Sequence, residues 1–423
     1  MHFGLDIDLR HLRAERPPVL LLGGLPLLRP LGEAGIPVIV GSPYRDDPTF
    51  VSRHCTGRML HPPLAAEDGV AEALLAAGDR LLERFGRRVP LFYGNDDYLN
   101  LIYTHREALA QRFLLLLNDR EVGDALIDKD RFEAFARSRN LRVPRTLAWD
   151  GTGRDALENA TGPVLVKPKV KVGWEDSQVY LRLIGSQGKA RVFQNGRQVM
   201  DHPLARQLKD LLTFQEYVPG SDRQLWSFHG FADENANLLA WFVGQKLRTF
   251  PSLTGMSTYL ELAHDDELAA LGRDITGRVP LKGVFKVDFK RDPGSGRFYM
   301  LEINARFNLW HYPAARNGVN LPQVAYDYLV NGTRAAPQPY RTSIRWLCFS
   351  LDYRAYRDLA SRGELDWPGW IASIVGSRKV YDLFSWTDPV PALRHGCERL
   401  LSWSRRSLGH LKIRLRQWLS TAS

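Results

Sequence analysis

Three cysteines in 423 residues, Cys55, Cys348 and Cys397, are odd in number and far apart, which argues against a disulfide framework or a cysteine-ligated zinc site. Long apolar runs are also missing; the longest, residues 113–117, falls far short of a bilayer span. The opening MHFGLDIDLR has acidic residues where a secretory leader needs an apolar core. VLLLGG at residues 19–24 has a glycine pair but no full GxGxxG, so a dinucleotide site there is weakly supported and a close helix–strand approach is the better use of those glycines. These absences point to a cytoplasmic globular protein.

Hydrophobic content of 44% and charged content of 25% agree with that class, and 423 residues exceed a single core, so two or three domains are expected. The formal net charge of +10 raises nucleic acid as a partner. From Arg394 onward, however, seven Lys/Arg stand against one Glu, so the excess is mostly terminal and no nucleic-acid motif accompanies it. The remainder is ordinary for a protein that holds a polyanion such as ATP.

Residues 283–306, GVFKVDFKRDPGSGRFYMLEINAR, organise the rest. Two period-2 runs flank Asp-Pro-Gly-Ser-Gly and predict a β-hairpin. Phe285, Val287 and Phe289 take one face; Lys286, Asp288 and Lys290 take the other. Tyr299, Leu301 and Ile303 are apolar, while Glu302 and Asn304 share the opposite face. A loop of residues 292–296 would set Lys286 opposite Glu302 and Asp288 opposite Met300. Two carboxylates and an amide oxygen beside a lysine suit Mg²⁺, whose octahedron is completed by phosphates and water, with Mn²⁺ as the alternative. The competing reading is a half-exposed hairpin with ordinary surface charges.

Upstream, residues 18–42 read as a compact βαβ unit with its helix closed by Gly35, and residues 89–93 as a further strand. Asp96 and Asp97 follow that strand and are better explained as a helix N-cap than as a substrate contact. A helix is expected over 99–117, a domain boundary near 120, and a second helix from about 127. PVLVKP ends a buried strand at Lys167; Lys169, Lys171 and Gly173 follow in a loop, and residues 214–218 form a strand before Pro219-Gly220. Strands at 238–247 and 257–261 and a helix at 263–276 complete the approach to the hairpin.

Lysine on a helix, lysine closing a strand, QExV before a turn, then aspartate and ExNxR in a hairpin is an order that resembles the ATP-grasp superfamily. The likeness is greatest to its carboxylate–amine ligase type, the D-aspartate ligase-like proteins, through WFVGQKLRTFPSLTGMSTYLE, the hairpin itself and GVNLPQVAYDYL. The resemblance implies a mixed α/β and α+β fold: a Rossmann-like pre-ATP-grasp domain (1–120), an ATP-grasp domain (121–340) and a helical extension (341–423). It also implies roles. Lys129 and Lys167 would contact nucleotide phosphates, Glu216, Tyr217 and Val218 would meet adenine, and Asp222 the ribose. Lys246 and Arg248 would reach the γ-phosphate, and Asp288, Glu302 and Asn304 would hold Mg²⁺. Arg306 would steady the transferring phosphoryl group and Lys286 would face the oxyanion. KPKVKVGWEDS departs from the family in having little glycine, so side-chain charge would stand in for backbone N–H groups, and residues 169–178 would close over the site.

The activity so implied joins a carboxylate to an amine, amino-acid-like substrates included, through an acyl phosphate. An ATP-grasp kinase or carboxylase and a non-catalytic nucleotide-binding module are the alternatives. His311, in FNLWHYPAARNGVN, is either a base for the amine or a packing residue, and Arg316 either pairs with a substrate carboxylate or is solvated. A strand is expected at 344–352, and helices at 353–362 and around Trp370. Beyond residue 400, Leu400, Trp403, Leu408, Leu411, Leu415, Trp418 and Leu419 recur at helical spacing among Arg and Lys, as in a peripheral membrane anchor or a docked terminal helix.

Overall fold

The computed structural model describes residues 4–127, 129–169, 182–184 and 190–397, without the side chains of residues 129 and 130. The expectations for the Lys129 side chain, for the loop from Lys171 and Gly173 to residue 178, and for the helix beyond 400 lie outside the described residues.

The first sheet has six strands in the order β1-β4-β3-β2-β5-β6. They are β1 (Gly4–Asp6), β2 (Val19–Leu22), β3 (Val38–Ser42), β4 (Gly57–Leu60), β5 (Val89–Tyr93) and β6 (Phe113–Leu114). All pairs are parallel except β1 with β4. Every residue of β2 and β5 is buried, as unbroken apolar runs in a sheet covered on both faces must be. A Cβ on Gly23 would lie 2.9 Å from Leu27 Cδ1, so the glycine pair does serve the close approach of a helix to its strand. The helix expected over 99–117 is instead two helices, Asp96–Thr104 and Arg106–Ala110. The apolar run that follows pairs with Val89 and Pro90 as β6, because an open sheet edge offers it hydrogen bonds that a helix end would not.

A smaller antiparallel sheet follows, β7-β10-β8-β9, from β7 (Thr146–Leu147), β8 (Val164–Pro168), β9 (Arg191–Phe193) and β10 (Leu212–Glu216). It has its own core around Val164, Val166, Leu212 and Phe214. The third sheet has seven strands in the order β15-β14-β11-β12-β13-β16-β17. These are β11 (Leu225–Ala232), β12 (Leu238–Phe250), β13 (Met256–Ala263), β14 (Gly283–Arg291), β15 (Phe298–Asn304), β16 (Ile344–Leu347) and β17 (Arg378–Tyr381).

One face of this sheet packs Phe228, Phe285, Val287 and Ile303 against Leu268 and Ile275 of helix Asp266–Arg278, which Asp265 caps. On the other face, Phe231, Phe242 and Leu260 join Trp310, Tyr326 and residues of the first sheet in one continuous core. Residues 341–397 are no appendage: β16 and β17 extend the sheet, and Asp352 and Asp388 form buried ion pairs with Arg248 and Arg29. The strand expected at 344–352 stops at Leu347, and a helix, Phe349–Ser361, begins where its amphipathic period takes over.

Candidate active site

The polar face of the large sheet is laid out by strand register. One row runs from β15 to β12 through Glu302, Asp288, Ser227 and Gly244; the next runs through Asn304, Lys286, His229 and Phe242. Because direct cross-strand partners share a face, both carboxylates and the lysine look the same way.

This register differs from the expected one in two ways. The turn is one residue longer, so Arg291 pairs with Phe298, and a bulge between Asp288 and Phe289 leaves Leu301 without a partner. The bulge has a purpose that alternation alone could not reveal. Phe298 and Met300 point into the core before it and Ile303 after it, while Leu301 turns to the cleft and Glu302 meets Asp288 directly.

Asp288 is 3% exposed. It accepts a hydrogen bond from Ser227 Oγ at 2.5 Å and pairs with Lys286 Nζ at 2.5 Å, while Lys246 Nζ stands 3.9 Å away. Burial lowers the Lys286 ammonium, and the Asp288 charge opposes that shift. Asn304 Nδ2 donates to Glu302 Oε1 at 3.1 Å, and Asn304 Oδ1 accepts from Arg306 at 3.2 Å. Arg306 also forks onto Asp96 at 2.6 and 2.9 Å, a bidentate, charge-assisted pair. Asp96 is therefore not the N-cap that the sequence predicts. Asn95 caps that helix by accepting from the Tyr98 amide, and Asp96 ties the first sheet to the strand of the ExNxR motif.

Asp96, Lys246, Asp288, Glu302 and Asn304 line a cleft whose other walls are Lys167, the 216–218 segment, Lys290, Leu301 and residues 253–255. Lys167 Nζ donates to Gln215 Oε1 at 3.1 Å. The Glu216 carboxylate is paired with Arg145, and the Tyr217 amide donates to the Pro163 carbonyl, which fixes the segment's backbone along the cleft. Lys290, 3% exposed, donates to the Tyr217 hydroxyl at 2.8 Å, and burial lowers its ammonium to about 8. No role was expected for Lys290, Ser227 or Gln215, although Lys290 shares the alternation of Lys286 and Asp288 and was legible as a third member of that face.

Two expected nucleotide contacts are elsewhere. A bulge in β12 between Lys246 and Arg248 turns Arg248 to the opposite face. There it forks onto Asp352 at 2.9 and 2.8 Å and donates to Ser373 Oγ. The Asp222 carboxylate is buried beneath the cleft wall, accepting from the Thr249 amide, the Thr249 hydroxyl and the Leu253 amide at 2.7 to 2.8 Å. It shapes the 251–255 loop. Arg316 lies against Glu33 at 3.4 Å, and His311 is fully buried.

Among the described residues no three His, Cys, Asp or Glu side chains converge as a protein-only metal cage. Two facing carboxylates and one amide on the cleft wall do fit a hard cation that takes its remaining ligands from phosphate oxygens and water.

A parallel α/β unit, a small antiparallel sheet and a larger antiparallel sheet, with an acidic pair and lysines facing their common cleft, together define the ATP-grasp fold. No family model matches the chain. A D-aspartate ligase from Enterococcus faecium is 23% identical over 252 residues, 56% of this chain and 58% of that protein, so the match spans little more than half of the relative. Among solved structures, an N5-carboxyaminoimidazole synthetase from Staphylococcus aureus complexed with ADP aligns with a TM-score of 0.56 at 12% identity, over 77% of this chain and 80% of that one. A biotin carboxylase from Campylobacter jejuni gives 0.54 at 12% identity over 78% and 74% of the two chains. An L-amino acid ligase from Bacillus licheniformis gives 0.51 at 11% over 74% of each.

Proposed function

We propose that this protein is an ATP- and Mg²⁺-dependent ligase that joins a carboxylate, amino-acid-like in character, to an amine through an acyl phosphate. The observation that carries the reading is the row Glu302–Asp288 with Lys246 beside it on the same wall of the cleft, and Lys286 in contact with Asp288. The likeness to a D-aspartate ligase supports the choice of reaction within the fold.

Asp288, Glu302 and Asn304 would hold the Mg²⁺, for which Mn²⁺ can substitute; the ion would supply charge neutralisation for the transferring phosphate. The backbone of Glu216, Tyr217 and Val218 meets the base, and Lys129 and Lys167 meet the phosphates. Lys246 takes the γ-phosphate and Lys286 the oxyanion that develops on the acyl carbon. Arg306, aimed by Asp96, steadies the transferring group.

The chemistry needs little from the protein beyond position and charge. A carboxylate oxygen attacks the γ-phosphorus, and the bond to the ADP oxygen breaks. The amine nitrogen then attacks the acyl carbon. Phosphate leaves with the oxygen that came from the carboxylate, and the amine's proton passes to solvent. Incubating the protein with ATP, amino-acid amines and an ¹⁸O-labelled carboxylate tests this: one label should appear in released phosphate. A stable phosphorylated product, or turnover that needs bicarbonate, would instead identify a kinase or a carboxylase. We further propose that residues 400–423 touch an anionic membrane surface, supported by their basic amphipathic spacing.

A further inference from the structure

His229 and His311 are both 0% exposed, and none of their four ring nitrogens has a hydrogen-bond partner among the described residues. Asn308 Nδ2, in the turn just before His311, is a further orphan. Unpaired buried polar atoms are destabilising, and phenylalanine would fill the same space without that cost. The rings stand in an aromatic box. His229 lies flat on Phe242, with centroids 4.3 Å apart and planes 9° from parallel. Trp310 is 5.1 Å from His229, His311 is edge-on to it at 6.2 Å, and Phe307 is 5.3 Å from His311.

The position of the box is set by register. His229 is the direct cross-strand partner of Lys286, one row beyond Asp288 and Glu302. Along β14 the order is Lys290, bonded to Tyr217, then Asp288, then Lys286. The box therefore adjoins the phosphoryl end of the cleft, on the side away from the 216–218 segment. Gly244, in the metal row, lets the roof close: a Cβ there would lie 2.1 Å from the Trp310 ring.

We infer that His229 and His311 form the subsite for the amine of the acceptor substrate, whose N–H groups bond the two imidazoles against an aromatic floor. This rests on the ligase reading above. Burial holds both rings uncharged, His311 at about 3 and His229 well below its ordinary value, so each offers one acceptor nitrogen and one donor. Lys286 is His229's direct cross-strand partner, so a protonated, cationic amine is the poorer match for the box. The surroundings that keep the imidazoles uncharged, burial beside the Lys286 and Lys246 ammoniums, also favour an uncharged amine, the form with a lone pair to attack. Residues 307–310 lie outside the sheet, and this turn must withdraw to admit the amine.

His229→Phe and His311→Phe in the full chain, with His311→Gln as a second variant should a ring swap misfold, test the assignment. The readout is the ratio of amide formed from a panel of L- and D-amino acids to hydroxamate formed with hydroxylamine, a small acceptor that intercepts acyl phosphates. The ratio should fall tenfold or more with the KM for ATP unchanged and the melting temperature not lowered. An unchanged ratio in both Phe variants overturns the inference. So does a parallel loss of amide, hydroxamate and melting temperature, which would make the rings structural partners of an ordered water. If the unaltered protein forms no hydroxamate at all, the acyl-phosphate reading itself is wrong, and this inference falls with it.

Discussion

Lys246 and Arg248 sit two residues apart on one strand and end in opposite kinds of surroundings. Arg248 faces a closed set of partners: both Asp352 oxygens, Ser373 Oγ and the Tyr259 ring, 4.7 Å away. Asp352 is itself completed by Thr258 Oγ1 and Trp370 Nε1, and Arg29 with Asp388 makes a second buried pair in which Ser52 also donates to the carboxylate. Lys246 instead stands 3.9 Å from Asp288, beyond hydrogen-bond range, on the wall of a cleft. Charges of the first kind answer one another and hold elements together. Charges of the second kind leave capacity directed at an open space, and that capacity is what a ligand uses.

Substitutions should separate the two kinds cleanly. The largest effect is expected on the cleft side: Asp288→Asn or Glu302→Gln should lower ADP release by about 10²–10³-fold or more, Glu302→Gln with the melting temperature as it was and Asp288→Asn with some loss of it, since the buried Lys286 ammonium then lacks its partner. Retained turnover would remove these carboxylates from the metal site. On the closed side, Arg248→Met leaves Asp352 buried without its cation and should cost about 3–5 kcal/mol of stability. Chemical denaturation measures that, and ATP affinity of the folded fraction should be unchanged; a weakened affinity at full stability would return Arg248 to the nucleotide.

Lys290→Met sharpens the contrast further. Removing a buried ammonium should leave the melting temperature unchanged or higher, while nucleotide affinity falls by about tenfold, the scale of one hydrogen bond from a charged group. Titration calorimetry with ADP tests this, and a lowered melting temperature with unchanged affinity would make Lys290 structural. The smallest effect concerns residues outside both sets. Deleting 400–423 should leave turnover intact and abolish sedimentation with anionic vesicles, whereas unchanged partition would leave that segment without a membrane role.

Much of this was legible beforehand where the signal is short in range. Alternation in residues 283–306 put Lys286, Asp288, Glu302 and Asn304 on one face, and β14 and β15 carry them there. The glycine pair at 23–24 and the strands at Val89–Tyr93 and Val164–Pro168 could likewise be read from local pattern. Two of the errors share one cause. Bulges at Leu247 and Leu301 each shift a strand's alternation by a residue, and neither leaves a mark in the sequence. One sends Arg248 to the wrong face for a nucleotide, and the other brings Leu301 into the cleft.

Period-2 and helical patterns depend on residues a few positions apart, so the chain by itself determined several of its strands and which hairpin bears the acidic pair. Pairings between residues distant in sequence, Arg306 with Asp96, Arg248 with Asp352 and His229 with His311's turn, depend on which surfaces pack together and where a strand slips by one. Those were decided only in the tertiary structure, because a side chain's partner is a property of the assembled core and not of its neighbours in sequence.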